Sequence, residues 1–83
     1  QQGKYADRLV SLWFPYWRVN EDGFLDTGYG LEIDLKDFAD PDGLLPRLKR
    51  DEFIYVTGRI HAQRRDYFCV DRVEELRRQE TRP

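Results

Sequence analysis

The chain has 83 residues, of which 40% are hydrophobic, 36% are charged and 14% are aromatic, and its formal net charge is −2. This length fits one domain, residues 1–83, and is too short for two, and the aromatic content is too high for a disordered segment. The one cysteine, Cys69, excludes an internal disulfide and a cysteine-based metal site.

The start of the chain, its cysteine content and its apolar runs predict the parent protein and the localisation. The chain starts at Gln1 and contains no Met, which predicts a fragment of a larger protein. A single cysteine favours a reducing, intracellular compartment, either cytoplasm or nucleus. No apolar run approaches the roughly 20 residues of a membrane-spanning helix, so no membrane partner is expected.

The first half of the chain predicts short strands separated by turns. Residues 8–19 are rich in β-formers. Pro15 cannot donate a ladder hydrogen bond, so this stretch is either an edge strand or two strands broken by a bulge. A turn over 20–23 precedes a short strand over 24–26. Residues 30–36 alternate in hydrophobicity, which predicts a half-buried strand with Leu31, Ile33 and Leu35 inward.

The second half predicts a helical insertion and a hairpin. Residues 44–50 fit one or two helical turns, with Pro46 tolerated only in the first turn. Residues 53–63 alternate, and Gly58 in the middle indicates a bulge or a sharp bend. After a polar loop, residues 67–70 form another strand. The alternation of 53–63 places Ile54, Val56, Ile60 and Ala62 on one side and Phe53, Tyr55, Thr57, Arg59 and His61 on the other.

The C-terminal segment allows two predictions. Val70, Val73 and Leu76 are spaced by three, and Asp71 with Glu74 fits a capping box. This pattern predicts a helix from about residue 71, and a strand continued to Val73 is the alternative. The sum is an all-β domain: a small five-stranded barrel, closed or nearly closed, with one short helical insertion and a C-terminal helix.

Two segments resemble a known family. Residues 53–60, Phe-Ile-Tyr-Val-Thr-Gly-Arg-Ile, and residues 67–70, Tyr-Phe-Cys-Val, resemble the strands of the OB-fold, the oligonucleotide/oligosaccharide-binding barrel. Residues 47–52 fit the helix and turn that often precede such a strand. The resemblance implies a five-stranded barrel with a binding role, often for single-stranded nucleic acid.

A second resemblance covers part of the same region. Residues 65–73 are similar to a strand of the WYL domain, a small SH3-like barrel of bacterial regulators, and Phe53-Ile54-Tyr55 stands near the place of its Trp-Tyr-Leu run. The first half of the chain does not fit that family, so it ranks second.

No catalytic or metal-binding pattern stands out. The single histidine, His61, has no nucleophile motif around it, and Cys69 between two apolar residues is typical of a packing residue. The acids before Gly43 do not fit an EF-hand loop, because Phe38 would occupy its first position. We therefore predict a protein that is not an enzyme and that uses no metal and no cofactor.

Aromatic and basic residues predict a binding surface. Trp13, Phe14, Tyr16 and Trp17 cannot all point inward by strict alternation, so either some are exposed or Pro15 shifts the register and the tryptophans lie in the core. Rings interleaved with arginine suit the stacking of unpaired bases and phosphate contact. The predicted binding residues are Tyr16, Trp17, Arg18, Tyr55, Arg59, His61, Arg64 and Arg65.

The predicted function is the binding of single-stranded nucleic acid, and the alternative is a protein-interaction or scaffold module. Single-stranded nucleic acid, within a replication, repair or RNA-handling assembly, is favoured by the resemblance and by the arginines of residues 47–65. A protein-interaction or scaffold role is favoured by the low net charge and by exposed Trp, Tyr and Arg. In the second case a basic partner would face the acidic side chains of residues 20–43, which are Glu21, Asp22, Asp26, Glu32, Asp34, Asp37, Asp40 and Asp42.

Overall fold

The fold is a single sheet with one short helical turn. The computed structural model describes residues 7–28, 30–64 and 67–79. Six strands and one 3-10 helix follow one another along the chain: β1 (Leu9–Pro15), β2 (Arg18–Val19), β3 (Phe24–Asp26), β4 (Leu31–Asp34), the 3-10 helix (Leu45–Arg47), β5 (Phe53–Arg64) and β6 (Tyr67–Arg78).

The sheet places its two first strands at opposite edges. The strand order is β1-β5-β6-β4-β3-β2, and every neighbouring pair is antiparallel except β4 and β6, which are parallel. β1 and β2 are joined by only two residues, Tyr16 and Trp17. The sheet therefore curls until its two edge strands, β1 and β2, come together at Tyr16 and Trp17. The two edge strands are not hydrogen-bonded to each other.

The break between β1 and β2 follows from the chemistry near Pro15. Tyr16 still bonds to the β5 side, since its N–H donates to the Glu52 carbonyl and its own carbonyl accepts from the Asp51 N–H. From Arg18 the chain pairs with β3 instead. The stretch therefore contains an edge strand, β1, and is broken into two strands as predicted, but the break is a crossing between the two sheet edges and not a bulge.

The core lies inside the curl. The strand alternation predicted for residues 53–63 is confirmed where side chains are described, because Ile54, Val56 and Ile60 are buried. Alternation in β4 also holds, with Ile33 fully buried. The largest cluster of buried apolar side chains consists of Phe14, Leu25, Ile33, Leu35, Leu44, Ile54, Val56, Val70 and Leu76.

β5 and β6 form a hairpin whose register shifts in the middle. Thr57 pairs with Glu75 and Arg59 pairs with Asp71, so Gly58 alone faces residues 72–74. Arg72 has a φ of 48°, which turns the bulged chain. The bulge expected at Gly58 is present, and the extra residues lie on the partner strand.

Of the two predictions for the C-terminal segment, the helix is wrong and the continued strand is confirmed, because residues 67–78 form one continuous strand that extends beyond Val73. The spacing of three between Val70, Val73 and Leu76 has its origin in the bulge. The bulge inserts extra residues into β6 and interrupts the alternation of inward and outward side chains. The inward positions Val70, Val73 and Leu76 are therefore three residues apart instead of two. A helical period and a bulged strand look the same over so few residues.

The fold class is β-rich as predicted, but the strand count and closure differ. The sheet has six strands and is open, because the first predicted strand is split at Tyr16–Trp17. The helical insertion is the single turn Leu45–Arg47, with Pro46 in its first turn as expected. The Asp40 carboxylate accepts the backbone N–H groups of Leu44 and Leu45, at 2.9 and 3.0 Å. Within the described ranges, no helix has the length and apolar character needed to cross a bilayer.

Candidate binding surface

The outer face of β1, β5 and β6 presents side chains in rows. Directly opposed residues in neighbouring antiparallel strands point to the same face. Because Ile54, Val56 and Ile60 point into the core, their neighbours in β5 point outward. The register gives three outward rows across the three strands: Leu9–Arg59–Asp71, Ser11–Thr57–Glu75 and Trp13–Tyr55–Arg77.

The row Trp13–Tyr55–Arg77 contains two aromatic rings, and a third ring, that of Phe53, lies beside Trp13. We call these four residues, Trp13, Phe53, Tyr55 and Arg77, the aromatic row. The Trp13 side chain is 52% exposed, and its ring centroid lies 6.4 Å from that of Phe53 at an interplanar angle of 44°. The Arg77 guanidinium carbon lies 4.2 Å from the centroid of the Tyr55 ring. This is a cation–π stack on an exposed sheet face.

The neighbouring row places two hydroxyl side chains beside Tyr55. The Ser11 and Thr57 side-chain oxygens lie 3.0 Å apart. Hydrogen bonds from the Ser11 and Thr57 side chains lower the pKa of Tyr55 below its ordinary value. The Arg77 guanidinium stacks on the face of this ring.

The charged side chains of this face are paired with one another. The Arg72 guanidinium donates to the carboxylates of Asp7 and Asp71. The hydrogen bond from Arg72 lowers the pKa of Asp7, and the Asp7 and Asp71 carboxylates raise the pKa of Arg72. Arg77 Nε lies 3.2 Å from a Glu75 carboxylate oxygen. The face thus combines exposed rings with charges that are largely neutralised.

Three of the predicted binding residues come together on this face. Tyr55, Arg59 and His61 are all in β5 and outward-facing. The Arg59 guanidinium donates to the Asp7 carbonyl at 2.9 Å, and His61 Nδ1 lies 3.2 Å from a carboxylate oxygen of Asp71. Both basic groups therefore already contact oxygen atoms of aspartates.

The other predicted residues do not join them. Arg18 is exposed on β2, at the opposite edge of the sheet. Tyr16 is half-buried against the core. The Arg64 side chain and the whole of Arg65 fall outside the part of the chain that the structure describes.

Trp17 belongs to a separate small cavity at the junction of the two sheet edges. Its side chain is 45% exposed, and it lies against the backbone of Gly28, where an added Cβ would overlap the indole ring. The Arg50 guanidinium carbon lies 5.7 Å from the ring centroid. The cavity measures about 160 Å³ and is lined by Pro15, Tyr16, Trp17, Thr27, Arg50 and Asp51.

The acidic side chains of β3 and β4 form a different surface. Leu25 and Ile33 are fully buried, so Asp26, Glu32 and Asp34 point away from the core. Asp26 pairs with Glu32 across the two strands. Acidic side chains thus lie opposite each other on these strands, away from the aromatic row.

Sequence reasoning missed three members of the aromatic row. Trp13 was left undecided between core and surface, and the burial of its neighbour Phe14 decides for the surface. Phe53 was placed on the outer side of its strand but not among the binding residues. Arg77 was hidden by the predicted helix, because its position opposite Tyr55 exists only when β6 continues to Arg78.

The residues with chemical reactivity are few. Cys69 forms no disulfide and is only 2% exposed. Among the described residues, no three His, Cys, Asp or Glu side chains are grouped closely enough to hold a metal ion.

Comparison of the chain with protein-family models, curated proteins and solved structures finds no match in any of the three. On the described surface the aromatic row is the arrangement most like a contact site. It combines an exposed tryptophan with a tyrosine and an arginine that stack on each other, and these residue types offer large surfaces to a partner.

Proposed function

We propose that this chain is a non-catalytic module that binds a protein partner through the aromatic row. The observation that carries the proposal is the half-exposed Trp13 in line with Tyr55 and Arg77 across three strands. Trp, Tyr and Arg are the residue types that most often dominate the binding energy of protein interfaces. Tyr55 and Arg77 already contact each other, so little ordering entropy remains to be lost when a partner binds.

The surrounding charges support a protein partner over nucleic acid. Binding to a phosphate backbone gains affinity from lysines and arginines that replace condensed counterions. Here Arg72 and Arg77 contact carboxylates, and a phosphate would be repelled by Asp71 and Glu75. A protein surface with its own polar rim meets no such repulsion.

We also propose that the curled sheet is a barrel of the OB type. The OB-fold is a five-stranded, partly open Greek-key barrel. β1 and β2 run on from one another with a two-residue break and can be counted as one bent strand shared by both edges, which leaves five strands. This count, the open edge and the binding role all agree with the resemblance of residues 53–60 and 67–70.

A second candidate function is the binding of single-stranded nucleic acid. It is favoured by the Arg77–Tyr55 stack beside the exposed Trp13 ring, because rings and guanidinium planes are the platforms on which unpaired bases stack. Arg59 and His61, on the same face, would then contact phosphates after releasing Asp7 and Asp71.

The protein partner is tested by site-specific photo-crosslinking in cells that express the chain. A photoreactive amino acid at position 13 should give discrete crosslinked protein bands. Arg77→Ala, which removes the stack on Tyr55, should weaken these bands. The matched control is the same photoreactive residue at the exposed position Asp37. Equal bands from positions 13 and 37, or bands insensitive to Arg77→Ala, would count against the proposal.

The nucleic-acid candidate is tested by tryptophan fluorescence during titration with short single-stranded DNA and RNA at low and moderate salt. The chain has two tryptophans, so Trp13→Phe and Trp17→Phe form a matched pair that assigns the signal. Saturable, salt-sensitive quenching that is lost in Trp13→Phe but kept in Trp17→Phe would place a base on the aromatic row. No change at low salt, where electrostatic attraction is strongest, rejects this candidate.

A further inference from the structure

The free edge of β1 carries unpaired backbone groups. Ile60 donates to the Arg8 carbonyl, and Tyr16 donates to the Glu52 carbonyl, so both even-numbered residues face β5. Backbone groups alternate in direction along an antiparallel strand, and β1 pairs with β5 without a register shift. The N–H and C=O groups of Leu9, Ser11 and Trp13 therefore point to the free edge, where no other described residue bonds to them.

This edge lacks most of the features that normally prevent strand pairing. Natural edge strands are usually protected by charged side chains, bulges, prolines or a covering segment. β1 has the sequence Leu-Val-Ser-Leu-Trp-Phe-Pro, without a single charge, and its proline stands at the last position. Its outward side chains include two of the three large apolar residues exposed on the described chain, Leu9 at 46% and Trp13 at 52%.

We propose that β1 is a homodimerisation edge, which pairs antiparallel with β1 of a second copy about a two-fold axis at Ser11. Leu9 and Trp13 lie two residues before and two residues after Ser11. The axis therefore sets Leu9 of each copy opposite Trp13 of the other, on the same face of a continuous twelve-stranded sheet. The three free residues of each strand supply about six interchain backbone hydrogen bonds in this register.

The charges near the edge are compatible with this pairing. The row through Ser11 continues to Thr57 and then Glu75. Across the axis the two Glu75 positions are five strand spacings apart, about 24 Å, which exceeds the Debye length of about 8 Å at physiological salt. Pro15, which has no N–H, falls outside the three hydrogen-bonded pairs. Among the described residues of β1 and its neighbours β5 and β6, the pairing brings no like charges together.

The area available sets the strength of the dimer. Pairing covers the backbone edge and the exposed parts of Leu9 and Trp13, on the order of a few hundred Å² per copy, below the roughly 800 Å² per partner of a standard interface. The dimer is thus a weak one, with a dissociation constant on the order of 0.1 mM. At such strength a protein partner on the aromatic row competes with the second copy for Trp13.

The test uses the purified chain alone, by sedimentation equilibrium and amide hydrogen exchange over a range from about 10 µM to about 1 mM, which brackets the expected constant. The wild type should pass from monomer to dimer. The amides of Leu9, Ser11 and Trp13 should become more protected as concentration rises. The amides of Val10, Leu12 and Phe14 already bond to β5 and should not change. A purely structural role for β1 gives no such dependence on concentration.

Variants separate the edge from general effects on folding. Trp13→Lys places a charge at the edge and should weaken dimerisation at least about 10-fold. Trp17→Lys is the matched control, since Trp17 has similar exposure but lies off β1, and it should leave the dimer unchanged. Ser11→Pro removes the central free N–H from an edge position that tolerates proline, and should also abolish the dimer.

A wild type that stays monomeric to 1 mM, equal effects of the two lysine variants, or association beyond the dimer would overturn the proposal. Because no partner is present in this experiment, a monomeric result leaves the crosslinking outcome for the aromatic row standing.

Discussion

Gly58 and Val70 lie so close across β5 and β6 that a Cβ atom on residue 58 would come within 2.7 Å of Val70 Cγ1. The carbonyl oxygen of Asp71 would be only 2.8 Å away, and it belongs to the backbone, so it cannot move aside as a flexible side chain can. The glycine is therefore required by space, and the bulge of β6 occupies the volume that a side chain would need.

Gly58→Ala should lower the free energy of unfolding by about 1–3 kcal/mol, the usual cost of overpacking. Urea denaturation measures this. Gly43→Ala is the control, because Gly43 has a φ of 60° but no heavy atom within 4 Å of its added Cβ, so it reports only backbone strain of about 1 kcal/mol. The steric account fails if Gly58→Ala costs no more than Gly43→Ala.

Gly28→Ala should displace the Trp17 ring, since the added Cβ would overlap it. In a Trp13→Phe background Trp17 is the one tryptophan left, and its emission should shift to longer wavelength as the ring becomes more exposed to water. Gly23→Ala is the matched control: its φ of 85° is close to the 80° of Gly28, but its Cβ would meet the flexible Lys36 side chain. An emission shift of equal size in Gly28→Ala and Gly23→Ala would contradict a specific contact between Gly28 and the Trp17 ring.

Stability should fall on acidification, in part through Glu52. The Lys49 N–H donates to its carboxylate at 2.7 Å, and this hydrogen bond, helped by Arg78, lowers the pKa of Glu52 below the ordinary value of 4.5. A carboxyl with a lowered pKa in the folded state stabilises the fold above its unfolded pKa. That contribution is lost as pH falls through the folded pKa.

The measurement is the urea midpoint at pH 7 and at about pH 3, below the ordinary carboxyl range. Glu52→Gln should show a smaller drop between the two pH values than the wild type. Glu21→Gln, at an exposed carboxyl in the turn before β3, should drop as much as the wild type. If acidification lowers the urea midpoint of Glu52→Gln as much as that of the wild type, the hydrogen bond between the Lys49 N–H and the Glu52 carboxylate does not contribute to stability.

The Arg77–Tyr55 stack should appear as a coupling in a double-mutant cycle. Arg77→Gln, Tyr55→Leu and the double variant, compared with the wild type by urea denaturation, should give an interaction energy of about 0.5–1 kcal/mol, typical of an exposed cation–π pair. Strict additivity of the two substitutions would mean that the two side chains do not stabilise each other.

Local patterns in the sequence predict most of the strands correctly. The strand Phe24–Asp26 is found as predicted, because turn-forming residues bound it on both sides. The inward positions of β5 follow from strict alternation. For the second half of β6 the local pattern leaves helix and strand open, since the bulge depends on Gly58, a residue of the other strand, and no local pattern reveals a cross-strand contact.

The candidate surface was only partly predictable for the same reason. Tyr55, Arg59 and His61 share a face because they share one strand, which alternation shows. Trp13 and Arg77 join them only through pairing register, and register is a property of three strands together. Tyr16 and Trp17 were grouped with them by closeness in sequence, yet they are the residues at which the chain crosses from one sheet edge to the other.

The pairing of the first strand, β1, with the late strand β5 also affects how the chain folds during synthesis. β1 is synthesised before the other strands, but Leu9 pairs with Arg59, about 50 residues later, so β1 has no partner until β5 has left the ribosome. Contacts so distant in sequence slow folding. In the nascent chain the uncharged segment Leu9–Pro15 stays open to unwanted pairing.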